Sequence, residues 1–531
     1  MSLRNHLVLP IILSTIAALA GCGSSSHHVV PPPTGSFSDS DLNGSYVFST
    51  VGTDVNQAPI SIVGSFTADG KGGISAGTVD FNDPSVSPPF LSFSAVTSGN
   101  YNVTADGRGQ ATISVTTLGP VKLDFVLISS SHGLITEFDG NGTGSGTLDV
   151  QTTITQSQLQ DYAYSFSGYD VNSFNPMSAA GAFSLGGSTT ITSGVQDIND
   201  FGLHYFTNPL SGSVTLGSGG TTGTAVLSGP FGSLSFDFYV IDANHLKFIE
   251  VDTAEILSGD AFSQTTASIP AGTYAFTLSG LAPPNTTTLQ PVAAGGLLVS
   301  DGNGTITDAS SEDVNDGGTS SSAPLAVSGQ YVFSGPRAVV TLSGMFPGST
   351  FAAYPSSGGL LLLELDNGGV TSGAAFPQTS TTLADTQGYG LNLTGVNLFD
   401  GVEVDDIAEF TAAAVSSNPN MTGLIDENFA PGGSPTFDTT LSGTYAPNTT
   451  GRYTANVNAG DTLNGGFGLN VYPVDGSNFI FMEGDNSGQV AVGSFAVQTP
   501  TSVTGDVLRH PMMIMPKPSI HGAWKKRMKT K

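Results

Sequence analysis

The sequence predicts an all-β protein assembled from tandem copies of one antiparallel meander, and three observations carry that reading. Charged residues make up only 11% of the 531 residues and glycines number 69, a composition that denies helices their polar faces and burdens them with backbone entropy. Short runs rich in Val, Ile, Phe, Tyr and Thr alternate with Gly, Asn and Asp, as strands alternate with tight turns. One set of landmarks then returns four times along the chain, and a fixed period of that kind marks a repeat architecture. With 38% hydrophobic residues, 31 Phe and 14 Tyr, each copy has the material for its own core.

The clearest landmark is a strand ending in Glu-x-Asp. It reads ITEFD at 135–139, KFIEVD at 247–252, LLLELD at 361–366 and IFMEGD at 480–485. Its glutamates, Glu137, Glu250, Glu364 and Glu483, are spaced by 113, 114 and 119 residues, and each is followed by a Gln-Thr pair whose Thr lies 15 or 16 residues on. Upstream come the Asp-x-Asn-Asp segments Asp80/Asn82/Asp83, Asp197/Asn199/Asp200 and Asp313/Asn315/Asp316, with a worn copy at Asp426-Glu427-Asn428. A Tyr-x-Phe opens three copies, at Tyr46/Phe48, Tyr164/Phe166 and Tyr274/Phe276, and the fourth opens near Tyr389. These marks place the units at 41–153, 158–266, 268–380 and 386–500.

Unit one threads into eight strand-like runs joined by short turns such as Ala-Asp-Gly at 68–70 and 105–107, a hairpin chemistry. Nothing resembling a helical crossover interrupts them, so each unit is expected to be a small up-and-down β-barrel of the lipocalin or streptavidin kind. A β-sandwich is the alternative, disfavoured because consecutive hairpins leave no long Greek-key return.

Residues on both faces of the Glu strand are largely apolar, so its carboxylate is expected to be buried and to need a partner. Arg108, Arg337 and Arg452 lie 29, 27 and 31 residues before their glutamates and are the candidates for an arginine–carboxylate clamp onto Glu or onto the Asp-x-Asn-Asp segment of the same unit. Unit two breaks the pattern, with Thr221 near the expected place and Lys247 three residues before Glu250. His132 and His245 precede their glutamates by five residues, but the same position is Gly359 or Asn478 in units three and four, which favours a turn tolerant of positive φ over a metal ligand. Structural calcium is a lesser candidate on the oxygen-rich Asp-x-Asn-Asp segments, because they match neither EF-hand nor nonapeptide spacing. No cofactor is expected. Carboxylates at i and i+2 of a strand approach glycosidase separations, so a secreted hydrolase is conceivable. Four copies of one constellation read instead as a folding constraint, and no nucleophile elbow, zinc or phosphate-loop motif is present.

The ends carry the address. Residues 1–21 form a short apolar stretch interrupted by Pro10 and ending Leu19-Ala20-Gly21 before Cys22, the only cysteine, which reads as a cleaved secretory signal rather than a membrane span. Leu19-Ala20-Gly21-Cys22 resembles the lipobox of bacterial lipoproteins, and the resemblance implies acylation of Cys22. Residues 22–40 are then a flexible tether. By the same resemblance Gly23, where an Asp would signal inner-membrane retention, favours the outer membrane or cell surface over the periplasmic inner-membrane face. Six basic residues against 42 acidic ones in 22–508 exclude nucleic acid as a partner. Residues 501–531 form a basic tail with the only tryptophan, Trp524.

Taken with the repeats, the whole chain resembles repeat-bearing bacterial surface lipoproteins, the match resting on Tyr46/Phe48, Ala68-Asp69-Gly70, Asp80-Asn82-Asp83 and Glu137/Asp139. The resemblance implies a location and an architecture and no particular activity. The function expected is a non-enzymatic, envelope-anchored protein with an adhesive, scaffolding or extracellular binding role. Its partners would be the membrane through Cys22 and an envelope polysaccharide, a protein or a small apolar ligand. The alternative is a carrier that encloses small apolar ligands inside its barrels.

Overall fold

A computed structural model describes residues 36–500, except 172–174, 202, 253–254, 286–287, 386, 416–417, 434 and 448–449. The signal segment, Cys22, most of the tether and the basic tail lie outside the described residues. The rest is four consecutive antiparallel barrels of eight strands. Barrel one runs from Asn43–Asp54 to Gly142–Val150, and its first and last strands pair to close it. Barrel four, from Gln387–Asn397 to Gln489–Val497, closes the same way. Barrel three, from Gly272–Asn285 to Val370–Pro377, closes through the pairing of those two strands. In barrel two the fourth strand is broken into Leu203–Pro209 and Ser211–Leu216. Leu210 at the break still donates its amide to Gly194 O at 3.0 Å, so the wall is bent there and continuous.

Period-two alternation sends one side of every strand inward. Tyr46, Phe48, Phe66 and Phe125 fill barrel one, and a packed aromatic set of Tyr164, Phe166, Phe236 and Phe248 fills barrel two, with centroids 4.6 to 5.3 Å apart around Phe166. Barrel four stacks Phe479 on Phe495 at 4.7 Å. Barrel three relies on Leu278, Leu298, Leu360, Leu362 and Ala375, and with fewer rings it retains an apolar cavity of about 20 Å³ lined by those residues, Tyr274 and Phe351. The register also corrects one landmark. Tyr162, not Tyr164, is the counterpart of Tyr46: each lies opposite the residue before the Gln-Thr pair. Their hydroxyls donate to Ser130 O and Ala243 O, both at 2.8 Å, at the turn between strands six and seven.

The barrels are arranged head to tail in a closed ring. Strands one to three of each barrel abut strands six to eight of the next, and barrel four returns to barrel one. A head-to-tail contact whose rotation closes gives a ring rather than a filament. The outward sides of these strands are apolar because they form the seams: Val47, Tyr239 and Ile249 between barrels one and two, Tyr354, Leu361 and Leu363 between two and three, Tyr472, Met482 and Val492 between three and four. Apart from seam contacts such as Phe93 with Tyr239 and the arginines at the start of strand five, strands four and five form the outer wall, where Leu203, Val226, Leu325 and Val332 are exposed.

Candidate functional site

The repeated landmarks meet at the seams. Strand three ends in Asp-x-Asn-Asp, and alternation turns x into the barrel, where Phe81, Ile198 and Val314 join the cores. The Asp and Asn on either side of x therefore face the next barrel. Each Asn amide donates to the backbone of the next barrel's Glu: Asn82 to Glu250 O at 3.0 Å, Asn199 to Glu364 O at 3.0 Å, Asn315 to Glu483 O at 3.2 Å, and Asn428 to Glu137 O at 2.9 Å. The last contact closes the circle. The Gln-Thr pairs act in the same cyclic sense. The amides of Thr152, Thr265, Thr379 and Thr499 donate to Ile241 O, Pro355 O, Val474 O and Ile128 O of the following barrel at 2.7 to 3.3 Å.

The arginines begin strand five and reach back to the first Asp of the preceding barrel's segment. Arg337 Nε donates to Asp197, Arg452 donates to Asp313 through Nε at 2.6 Å and Nη2 at 2.8 Å, and Arg108 Nη1 donates to Asp426 at 2.7 Å. Arg108 also contacts Asp106 and Asp438, at 3.2 and 2.7 Å. Tyrosines missed by the sequence reading complete two of these sites: Tyr354 Oη donates to Asp197 at 2.5 Å and Tyr472 Oη to Asp313 at 2.6 Å. They stand ten and eleven residues before their glutamates, a repeat phase that could have exposed them.

The expectation of a clamp within one unit is thereby corrected. Arg108, Arg337 and Arg452 join neighbouring barrels, and Glu137, Glu250, Glu364 and Glu483 receive none of them. Each glutamate points into its own barrel beside Ile135, Phe248, Leu362 or Phe481 and is 6% exposed or less. Burial pushes all four carboxyls well above the ordinary range, and the aspartate two residues on pushes each further the same way. Glu364 accepts Thr371 Oγ1 at 2.7 Å, and Glu483 accepts Ser487 Oγ at 2.5 Å. Neutral carboxyls of this kind can sit at the end of an apolar barrel where a carboxylate could not.

The histidines part company with the glutamates. His132 Nδ1 meets Asp149 at 2.8 Å and His245 Nε2 meets Asp260 at 2.7 Å, with Lys247 Nζ on the same Asp260 oxygen at 3.1 Å. Only Gly359 of the four equivalent positions has a positive φ, 99°, so the shared left-handed turn expected there is absent and a hydrogen bond from the histidine to strand eight takes its place in units one and two. The oxygens of the Asp-x-Asn-Asp segments also diverge: Asp80, Asp197 and Asp313 face a seam, whereas Asp83 caps its own loop through Ser85 N at 2.7 Å and Asp316 accepts Gln290 Nε2 at 2.6 Å. Among the described residues no three His, Cys, Asp or Glu side chains converge as metal ligands.

The seam between barrels one and two differs from the rest. Strand register puts Thr222 opposite Tyr239, as Arg108 stands opposite Val126, so Thr222 rather than Thr221 occupies the arginine position. Asp80 accepts Phe93 N from its own barrel, as Asp197 accepts Thr207 N at 2.7 Å, and it also lies against the Tyr239 hydroxyl, but no arginine reaches it. Asp237 of barrel two faces it, and burial together with that neighbour raises the Asp80 carboxyl to about 8. Phe93 packs on Tyr239 at 5.9 Å in the same seam.

Among the described residues 24 of the acidic side chains are buried, all nine glutamates of the chain among them. The formal charge of −28 therefore overstates the charge on the surface.

No family model and no curated protein matches the sequence. Among solved structures the chain is similar to transferrin binding protein B of serogroup B Neisseria meningitidis, at 11% identity over 69% of this chain and 84% of that one, with a TM-score of 0.20. It is also similar to a mutant transferrin binding protein B of Haemophilus parasuis, at 9% identity over 71% and 84% of the two chains, with a TM-score of 0.18. At these scores the likeness carries no inference about function.

Proposed function

We propose that the chain is an exported, lipid-anchored protein of the bacterial outer membrane or cell surface, and that its four-barrel ring is a rigid, non-enzymatic platform for extracellular binding. The observation that carries the reading is where the recurring polar residues go. The Asp, Asn, Arg and Gln-Thr landmarks are spent on joining barrels, and the barrel interiors are occupied by side chains. Recognition is thereby left to the outer wall of strands four and five, whose sequences differ from unit to unit and whose exposed Leu203, Leu325 and Val332 offer apolar contacts. Attachment through Cys22 follows from the lipobox resemblance.

Cells producing the wild type and Cys22→Ser test it. The wild type is expected in the membrane fraction and cleaved by protease added to intact cells, with Cys22→Ser in the soluble fraction. Membrane retention of Cys22→Ser, or protection of the wild type, overturns the reading. Carriage of a small apolar ligand has one observation in its favour, the cavity in barrel three, but about 20 Å³ is room for little more than one water molecule.

A further inference from the structure

The four seams are equivalent in topology and unequal in chemistry, and the seam between barrels four and one stands apart. It alone joins barrels that are not consecutive in sequence. Its apolar cluster is the smallest of the four: Val126, Ile128, Leu134 and Ile407. Three outward positions of strand two explain why. In barrels one, two and three the first is Pro59, Pro176 and Pro291, the second Ser61, Ser178 and Ala293, and the third Ser65, Ala182 and Leu297. In barrel four they are Glu403, Asp405 and Glu409. All three carboxyl residues are at most 1% exposed.

Their partners come from barrel one. Thr53 Oγ1 donates to Glu403, and Asp405 accepts Thr143 Oγ1 at 2.9 Å and Ser145 Oγ at 2.7 Å. Glu409 has no donor on either oxygen. The charged groups around it are Asp106, which repels its ionised form, and Arg108, which favours it. Nearby, Asp124 of barrel one lies against Asp426 of barrel four, with Arg108 beside both and Asp438 beside Asp426. Glu137 feels Asp139 and Asp83 of its own barrel and, across the seam, Asp405 and Glu403. Arg108 is the one arginine or lysine among these groups.

We propose that this seam is a proton-dependent latch: the ring is closed when Glu409 of barrel four and Asp124 of barrel one, buried at the seam with oxygens that receive no donor, hold protons, and the latch is released as they ionise. An isolated buried carboxylate is costly unless paired, and one guanidinium cannot pair with all of these. Burial, with Asp106 adding to it, raises Glu409 to about 8. Burial and Asp426 hold Asp124 well above the ordinary range. These pKa values are higher in the closed ring than in an opened one, so closure takes up protons. Closure is therefore fully favoured below the ordinary carboxyl range near about pH 4 and is lost progressively as pH rises toward about 8.

A thiol probe tests the latch in the full-length chain carrying Cys22→Ser. Ile407→Cys places a thiol in the 4/1 seam and Leu363→Cys places one in the 2/3 seam, so the ratio of their labelling rates cancels the intrinsic pH dependence of thiol reactivity. Between about pH 5 and about pH 9 the Ile407→Cys rate is expected to rise at least about tenfold relative to the Leu363→Cys rate. Glu409→Gln with Asp124→Asn is expected to abolish that rise. A flat ratio overturns the proposal, as does a rise that persists in the double variant. If the double variant does not fold, Glu409→Gln alone must still reduce the rise.

Discussion

The 2/3 seam and the 1/2 seam solve one packing problem with different chemistry. Both bury the first Asp of an Asp-x-Asn-Asp segment against the next barrel, and both hold one of its oxygens with a backbone amide. In the 2/3 seam the second oxygen receives Arg337 and Tyr354. In the 1/2 seam Tyr239 still reaches the aspartate, but the arginine position is Thr222 and Asp237 lies beside the carboxyl instead of a cation. A repeated fold thus preserves the place of a buried carboxyl more strictly than the means of neutralising it. A guanidinium does so at any physiological pH, whereas a proton does so only where the local pKa allows it.

The largest effect expected on this comparison is from Arg337→Ala. It leaves Asp197 buried without its cation and should destabilise the 2/3 seam by about 3–5 kcal/mol, seen as faster hydrogen exchange in 193–200 and 350–356. Undisturbed exchange there would mean that Tyr354 alone suffices. Asp80→Asn should act next and in the opposite direction. The raised carboxyl at position 80 makes folding take up a proton, so wild-type stability falls between about pH 4 and about pH 8. The neutral variant should lose that part of the slope and exceed the wild type by on the order of 1–3 kcal/mol above about pH 8, as read from urea unfolding at several pH values. Wild-type and variant curves that stay parallel would show that Asp80 is already paired. Asn315→Ala should have the smallest effect, about 0.5–1.5 kcal/mol confined to the 3/4 seam, because it removes amide bonds to Glu483 O and Gln489 O without stranding a charge.

Much of the fold was legible beforehand. The phase of Glu137, Glu250, Glu364 and Glu483 counted the barrels, and the hairpin turns at 68–70 and 105–107 favoured a meander. The site was legible only in part. Arg108, Arg337 and Arg452 are visible as a set, but their spacing points to carboxylates of their own units. A linear repeat does not say whether a conserved phase serves the interior of one copy or the contact between copies. Nothing local in the sequence distinguishes Tyr354 and Tyr472 from core aromatics, or Glu403, Asp405 and Glu409 from a solvated acidic stretch. They are buried because another barrel covers them.

Composition, period and alternation determine a local outcome, since each strand's two faces are written in its own residues: four all-β units of consecutive antiparallel strands, each with its own core. Closure into a ring depends on contacts between residues hundreds of positions apart, such as Asn428 with Glu137 and Arg108 with Asp426. No local pattern records which barrel an outward face will meet. Which carboxyls are neutralised by arginine and which by a proton was therefore decided by the tertiary structure, through burial and the identity of the neighbour across each seam.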